Sequence, residues 1–365
     1  MTRLIASDLL WHEGEMREGL AVEVAGGALT RIRPLNAGEI PDLRVGLIGP
    51  ALTDLQVNGS GGVMLNNDPS AEAIAHIVAT QRDRGTGWVM PTLITCEPDC
   101  MKKAAEAARD AWGLPGFLGL HVEGPHINPL RKGTHNPAFI RPIDEPTIEI
   151  LTELSRAGIP VMLTLAPEVV PPDVIRQIAD MGVVVSAGHS AATAPETRSG
   201  IAAGVSCFTH LFNAMPPMQS REPGIVGAAI NSDSFAGIIV DGHHVVWEMV
   251  GLACRARPVE GRMFMVSDAM ATIGGPDHFD LYGETITVRD GALVNSNGSL
   301  AGAHIDLATC LFNAVHHVGL PIAEAYRMAA MIPLDAMHLQ RPELVIGMSV
   351  TEMLVLDGQW NKVAP

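Results

Sequence analysis

Short apolar runs alternate with amphipathic stretches through most of this chain. Eight of the runs read as strands: Leu52–Val57, Trp88–Ile94, Phe117–Glu123, Val161–Pro167, Val183–His189, Val205–Leu211, Ala236–Asp241 and Met263–Asp268. Each is short and largely apolar, the pattern of a strand covered on both faces. The stretches between them carry a helical period instead. Ile74, Ile77 and Val78 fall on one helical face, and so do Ile148, Leu151 and Leu154. Repeated strand–helix units with about eight strands predict an α/β fold, a (β/α)8 TIM-like barrel. Strand order is not legible in one sequence, so a doubly wound sheet is the alternative.

The two ends of the chain have a different rhythm. Val22 and Val24 alternate with polar neighbours, Gly26-Gly27 supplies a tight turn, and Leu29 to Ile32 returns. Leu344-Val345-Ile346-Gly347 and then Met353–Asp357 repeat this character near the other end. The expectation is a small β-sandwich domain built from both termini, residues 1–50 and 340–365, around a barrel of residues 51–339. Asp290-Gly291, between Ile286–Val288 and Leu293-Val294, reads as a late hairpin. No internal repeat and no low-complexity segment interrupts this plan.

Composition narrows the function classes. The 365 residues are 47% hydrophobic with 37 glycines, which suits a globular α/β protein. Only 4% are aromatic, so aliphatic side chains and the 18 methionines must fill the core. The formal charge of −16 argues against nucleic acid, whose backbone wants a basic face. It also means that an anionic small substrate needs a few local donors to hold it. Cys96, Cys100, Cys207, Cys254 and Cys310 are odd in number and scattered, which points to a reducing cytoplasm and no disulfide framework. Asp8, Glu13 and Glu15 break the first apolar patch, so it does not read as a signal peptide. No stretch is long and uncharged enough to span a membrane.

Candidate chemistry sits at the strand exits. Glu123 lies within His121-Val122-Glu123-Gly124-Pro125-His126, while His189 and His210 each follow an apolar run. Alone, each reads as a salt-bridged carboxylate or a satisfied core histidine. A parallel barrel, however, gathers the C-terminal ends of its strands around one pocket. One carboxylate and two imidazoles then leave an open position on a divalent metal, as a hydrolytic site needs. Asp268 exits the last strand and faces the same pocket; its bland reading is a helix N-cap. His135, in a Gly-Thr-His-Asn-Pro loop, has no task that the residues themselves assign. His126, His304, His316 and His317 are assigned to packing or surface.

Several of these segments jointly resemble one family. Gly119–Asn128 followed by Lys132–Pro137 resembles the N-acetylglucosamine-6-phosphate deacetylases of the amidohydrolase superfamily. So do Leu163–Glu168, Ala187–Ser190, Thr209–Met215, Arg221–Gly224, Asp241–Val245 and Ser267–Met270. The matches run in order from Asp54–Gly62 to Gly298–Gly302, most of the chain. The resemblance implies metal ligation by Glu123, His189 and His210. It implies that Asp268 acts as general base and then general acid, and that His135 contacts the N-acetyl carbonyl. Asn213, Ala214, Arg221 and His244 become the substrate donors that an acidic chain requires, with only Glu222 as a close acidic neighbour. His243 stands where the family usually has an apolar residue.

The implied reaction converts N-acetyl-D-glucosamine 6-phosphate to D-glucosamine 6-phosphate and acetate, by attack of a metal-activated water. The galactosamine epimer or another N-acyl amino sugar phosphate is the nearest alternative. Cyclic amide hydrolysis or deamination is more distant, and a catalytically dead binding barrel is the reading outside enzymes. Where many amidohydrolases carry His-x-His on the first strand, this chain has Gln56-Val57-Asn58. Neutral amides are poor ligands beside imidazole, so Gln56 and Asn58 mark at most a vestigial second metal position, and one ion per chain is expected. Zinc suits the set first, with iron or another divalent ion as alternatives. The family further implies a homodimer, or a dimer of such dimers, in which Arg221 completes the neighbour's site.

Overall fold

The computed structural model describes residues 2–296 and 298–365. Its centre is one eight-stranded parallel sheet whose strand order follows the chain. The barrel strands are Leu52–Val57, Thr86–Ile94, Leu120–Glu123, Val161–Leu165, Val184–Ala187, Val205–Phe208, Phe235–Ile238 and Met263–Met265. All eight expected runs are present. The last six are shorter than expected, and most of them stop before their polar exit residue. The reason is local: His189, His210 and Asp268 hold φ of 48°, 28° and 52°, a left-handed backbone that leaves the ladder. Such positions cost roughly 1–3 kcal/mol each and persist where the surroundings over-determine them.

Neighbouring strands pair in parallel ladders from the first strand to the eighth. Between the first and the eighth, closure takes another form. Val57 makes a single bridge with Ala269. Asp268 N–H donates to the Gln56 carbonyl at 3.0 Å, and Asn58 N–H to the Ala269 carbonyl at 2.8 Å. The Asp54 carboxylate, fully buried, accepts from Ser267 N–H at 3.2–3.3 Å and from Gln56 N–H at 3.1 Å. Burial pushes its carboxyl up to about 7.

The helices cover the barrel with the faces the sequence assigns. Helix Ala71–Asp83 buries Ile74, Ile77 and Val78, and Ser70 caps it by accepting from Ala73 N–H. Helix Glu145–Arg156 buries Leu151 and Leu154, with Ile148 half-buried, and Asp144 caps it. Full burial of each such side chain contributes roughly 1.5–3 kcal/mol.

The termini together build a six-stranded sheet from Arg3–His12, Glu15–Arg17, Leu20–Ala25, Ala28–Pro34, Leu43–Pro50 and Met353–Leu356. The pairing makes it one continuous sheet. Gly26 and Gly27, at φ 60° and 78°, form the expected turn. Along the last strand the two-residue period serves two cores. Met353 and Val355 join Ile5, Val22, Leu29 and Ile48, whereas Leu354 and Leu356 join the barrel core. Leu344–Gly347, expected as a strand, is instead a loop. Leu344 is buried in the small core, but Val345 and Ile346 are 54% and 63% exposed and Gly347 has φ 93°. That backbone turns, so it cannot continue a ladder.

A third sheet is inserted after the barrel. Glu284–Arg289 and Ala292–Val294 form the expected hairpin around Asp290 and Gly291, and His278–Leu281 adds a strand the sequence reading did not foresee. Its Phe279, Leu281, Ile286 and Leu293 pack with Met64, Ile94 and Met270. All five cysteines are free.

Candidate functional site

Four strand exits deliver the acidic and imidazole groups to one cavity. Glu123 ends the third strand; His189, His210 and Asp268 follow the fifth, sixth and eighth. Oε1 of Glu123 lies 2.9 Å from Nε2 of His189 and 3.0 Å from Nε2 of His210, and the two nitrogens are 3.0 Å apart. All three side chains are buried. Nδ1 of His189 donates to the Arg131 carbonyl at 2.8 Å, so in the neutral ring Nε2 offers a lone pair.

With Nε2 of His210 unprotonated as well, three lone-pair atoms converge, an arrangement that repels itself unless positive charge sits among them. Ligands at about 2.0–2.1 Å from a tetrahedral zinc lie roughly 3.3 Å from one another. The observed spacing is slightly tighter, and the donor set fits a divalent ion. Ionisation points the same way. Burial works to raise the Glu123 carboxyl, yet hydrogen bonds and charge from His189 and His210 hold it well below the usual carboxylate range. Burial pulls His210 down, but its contact with Glu123 outweighs this and leaves it raised. The carboxylate demands a positive partner at this point.

Asp268 stands beside that cluster, held by amides. Nδ2 of Asn58 donates to Oδ1 at 2.6 Å, and Nε2 of Gln56 donates to the same oxygen at 3.0 Å and to Oε2 of Glu123 at 3.1 Å. Carboxylates only accept, so the amino end of Gln56 must face them. The first-strand position thus offers N–H groups where a second metal would need lone pairs. Burial, and next the Glu123 charge, push the Asp268 carboxyl up to about 6.

His135 is buried with its ring 4.2 Å from that of His189, centroid to centroid. Its Nε2 lies 3.9 Å from Oε1 of Glu123, and its Nδ1 meets the Thr95 hydroxyl at 2.7 Å. Burial, followed by the neighbouring His189, holds it well below the ordinary imidazole value, so the ring is neutral. Tyr282, from the turn of the inserted sheet, donates to the Thr95 carbonyl and so ties that sheet to the His135 support.

The cavity among these groups has a volume of about 140 Å3, and Asn213, Ala214 and His244 are among the residues that line it with Glu123, His135 and Asp268. His244 Nδ1 is 2.6 Å from Oδ2 of Asp241. Burial works to raise Asp241, but the hydrogen bond and charge of His244 hold it below its usual range. Arg221 is not brought into the cavity. It lies exposed on the Pro-rich loop before helix Gly224–Ile230, and among the described residues no ion pair joins it to Glu222. Glu222 instead accepts from Ala194 and Gly224 N–H. His126 is a satisfied core histidine between the Arg141 carbonyl and Thr147 Oγ1. His304 meets Thr272, His243 is exposed, and His316 and His317 pack on aromatic rings.

Four contributors were missed in the sequence. Asp54, Thr95 and Asp241 act through partners distant or turned back in space. Glu168 ends the Leu163–Glu168 segment, which by itself assigns it no task. It accepts from Asn128 Nδ2 at 2.9 Å, Ala191 N–H at 2.6 Å and Ser190 Oγ at 2.7 Å, tying together the loops beside His189. The visible signals were an isolated Asp within the apolar run of the first strand and the places of Glu168 and Asp241 in segments that carry the family resemblance.

Residues 47–342 match the amidohydrolase family. The chain belongs to that family. The resemblance read from its motifs is therefore borne out. This amidohydrolase is 36% identical over 342 residues to the N-acetylgalactosamine-6-phosphate deacetylase of Shewanella sp. (strain ANA-3), covering 91% of this chain and 86% of that protein. It is 32% identical to the N-acetylglucosamine-6-phosphate deacetylase of Haemophilus influenzae, covering 91% and 88%. The crystal structure of N-acetylglucosamine-6-phosphate deacetylase from Pasteurella multocida superposes with a TM-score of 0.87 at 31% identity, over 99% of this chain and 97% of that one.

Proposed function

We propose that this amidohydrolase removes the acetyl group from N-acetyl-D-glucosamine 6-phosphate, giving D-glucosamine 6-phosphate and acetate. The observation that carries the reading is the convergence of Glu123, His189 and His210 beside an amide-held Asp268. N-acetyl-D-galactosamine 6-phosphate is the second reading, favoured by the higher identity to the Shewanella protein.

Glu123 Oε1 and the Nε2 atoms of His189 and His210 would hold one divalent ion, with zinc the first choice. Such an ion supplies Lewis-acid charge at the reacting carbonyl and lowers the pKa of water. Asp268 takes the proton from the attacking water and returns it to the nitrogen as the C–N bond breaks. Gln56 and Asn58 keep that carboxylate aimed. His135 donates from Nε2 to the carbonyl oxygen as negative charge develops there. For that, Nδ1 must accept from the Thr95 hydroxyl, because a neutral imidazole carries one N–H.

Asn213, the Ala214 backbone and His244 receive the sugar phosphate. Arg221, free on its exposed loop, joins the phosphate of a neighbouring subunit in a homodimer, since a guanidinium suits that group. Mixing Arg221→Ala with Asp268→Asn under subunit exchange tests this. Recovered activity supports the shared site, and none, with exchange confirmed, sinks it. The substrate itself is tested by acetate release from both N-acetylhexosamine 6-phosphates and their unphosphorylated sugars. Release from neither phosphate by metal-loaded protein would overturn the reading.

A further inference from the structure

The loop after the seventh barrel strand is built around one carboxylate. Oδ1 of Asp241 accepts the backbone N–H of His243 at 2.9 Å and of His244 at 2.8 Å, the pattern of an aspartate that makes its own turn. Its other oxygen, Oδ2, lies 2.6 Å from Nδ1 of His244. Both side chains are only 6% exposed. A carboxylate accepts and never donates, so Nδ1 of His244 carries the proton. Nε2 is the nitrogen left for the cavity, which His244 lines with Asn213 and Ala214.

We propose that Asp241 is the positioning residue for phosphate recognition, fixing the tautomer and direction of His244 so that Nε2 addresses the 6-phosphate. This rests on the reading of the cavity as an N-acetylhexosamine 6-phosphate site. The chain carries a formal −16, so an anionic substrate enters against the net field and needs local positive charge. A ring whose Nδ1–H is already committed can donate to phosphate only as imidazolium. In that form the buried Asp241 carboxylate, 2.6 Å from Nδ1, is the counter-charge. One side chain thus shapes the turn through one oxygen and tunes the ring through the other.

Asp241→Asn separates the two tasks. The amide oxygen still accepts the two backbone N–H groups, so the turn is kept. The amide nitrogen then faces Nδ1, which must accept, and the ring is left neutral with its tautomer reversed. Hydrogen bonds to charged groups are the strong ones, so the ratio of kcat/KM for the phosphorylated over the free sugar should fall on the order of 10- to 100-fold, through KM. Asp241→Ser, which also keeps an acceptor for the turn, should move the ratio in the same direction. In a His244→Asn background, Asp241→Asn should change the ratio no further. An equal loss on both substrates, or a full additional loss in the His244→Asn background, would overturn the assignment. Wild-type protein that turns over the free sugar as well as the phosphate would instead remove the phosphate reading on which it stands.

Discussion

The floor of the cavity has two sides that present polar side chains at strand ends and use them in opposite ways. On the side of the third, fifth and sixth strands, Glu123, His189 and His210 point lone pairs at a common centre, with about 3 Å between atoms. On the side of the first and eighth strands, Gln56 and Asn58 point N–H groups at Asp268 and Glu123. Donors of lone pairs make a place for a cation; donors of protons make a place for a carboxylate. The wall position is comparable, and only the side-chain chemistry decides whether it suits a cation or a carboxylate.

That contrast can be broken most heavily from the metal side. Glu123→Ala should take tight divalent metal from about one equivalent to none, measured by elemental analysis, and turnover to background. Retained metal with near-normal activity would dismantle the assignment. Asp268→Asn attacks the other side: metal should stay, while kcat falls roughly 10²–10⁴-fold. Loss of metal together with activity would mean that the two sides are not chemically separate.

A milder probe is pH. Asp268 must be ionised to take a proton, and its carboxyl is raised to about 6 by burial and by Glu123. A bound cation lowers it, so the acid limb of kcat/KM should lie at or below pH 6. It should fall about tenfold per pH unit beneath that point. A flat profile down to pH 4 would exclude Asp268 as the titrating base. The smallest effect is expected at Asp54, on the proton side of the floor. Its folded carboxyl is raised to about 7, so the stability it contributes is complete below its ordinary value of 3.8 and is lost as pH rises through 7. The Tm difference between Asp54→Asn and wild type should therefore shift in favour of the variant between pH 5 and 8. A difference independent of pH would show that Asp54 is ionised in the folded protein.

The barrel was legible because each wall strand is a short apolar run, and several of these runs are followed closely by a polar residue. The same regularity exposed Glu123, His189, His210 and Asp268. The small sheet was half legible: Met353–Asp357 alternates as a strand should, whereas Leu344–Gly347 has the composition of one but turns at Gly347, so that it meets Leu29 by a hydrogen bond and builds no ladder. His278–Leu281 was missed because only Phe279 and Leu281 are buried in so short a segment. The supporting groups were harder to read for a different reason. Gln56 and Asn58 were recognised as poor ligands, yet nothing in a linear chain says that their partner is a carboxylate some 210 positions away. Asp241 looks like an ordinary Asp-Gly turn until the fold turns His244 back onto it.

The seam between the first and eighth strands also sets an order in time. As the chain emerges from a ribosome, Glu123, His189 and His210 are all in hand before any of Met263–Met265 exists. A nascent barrel at that stage has its cation donors but neither Asp268 nor the strand on which Asn58 and Gln56 lean. Asp268 enters only when the last strand docks against Leu52–Val57 and the Asp54 clasp closes on Ser267. On the proposed mechanism, hydrolysis therefore waits for the last barrel strand, because a product that stops before Met263 lacks Asp268.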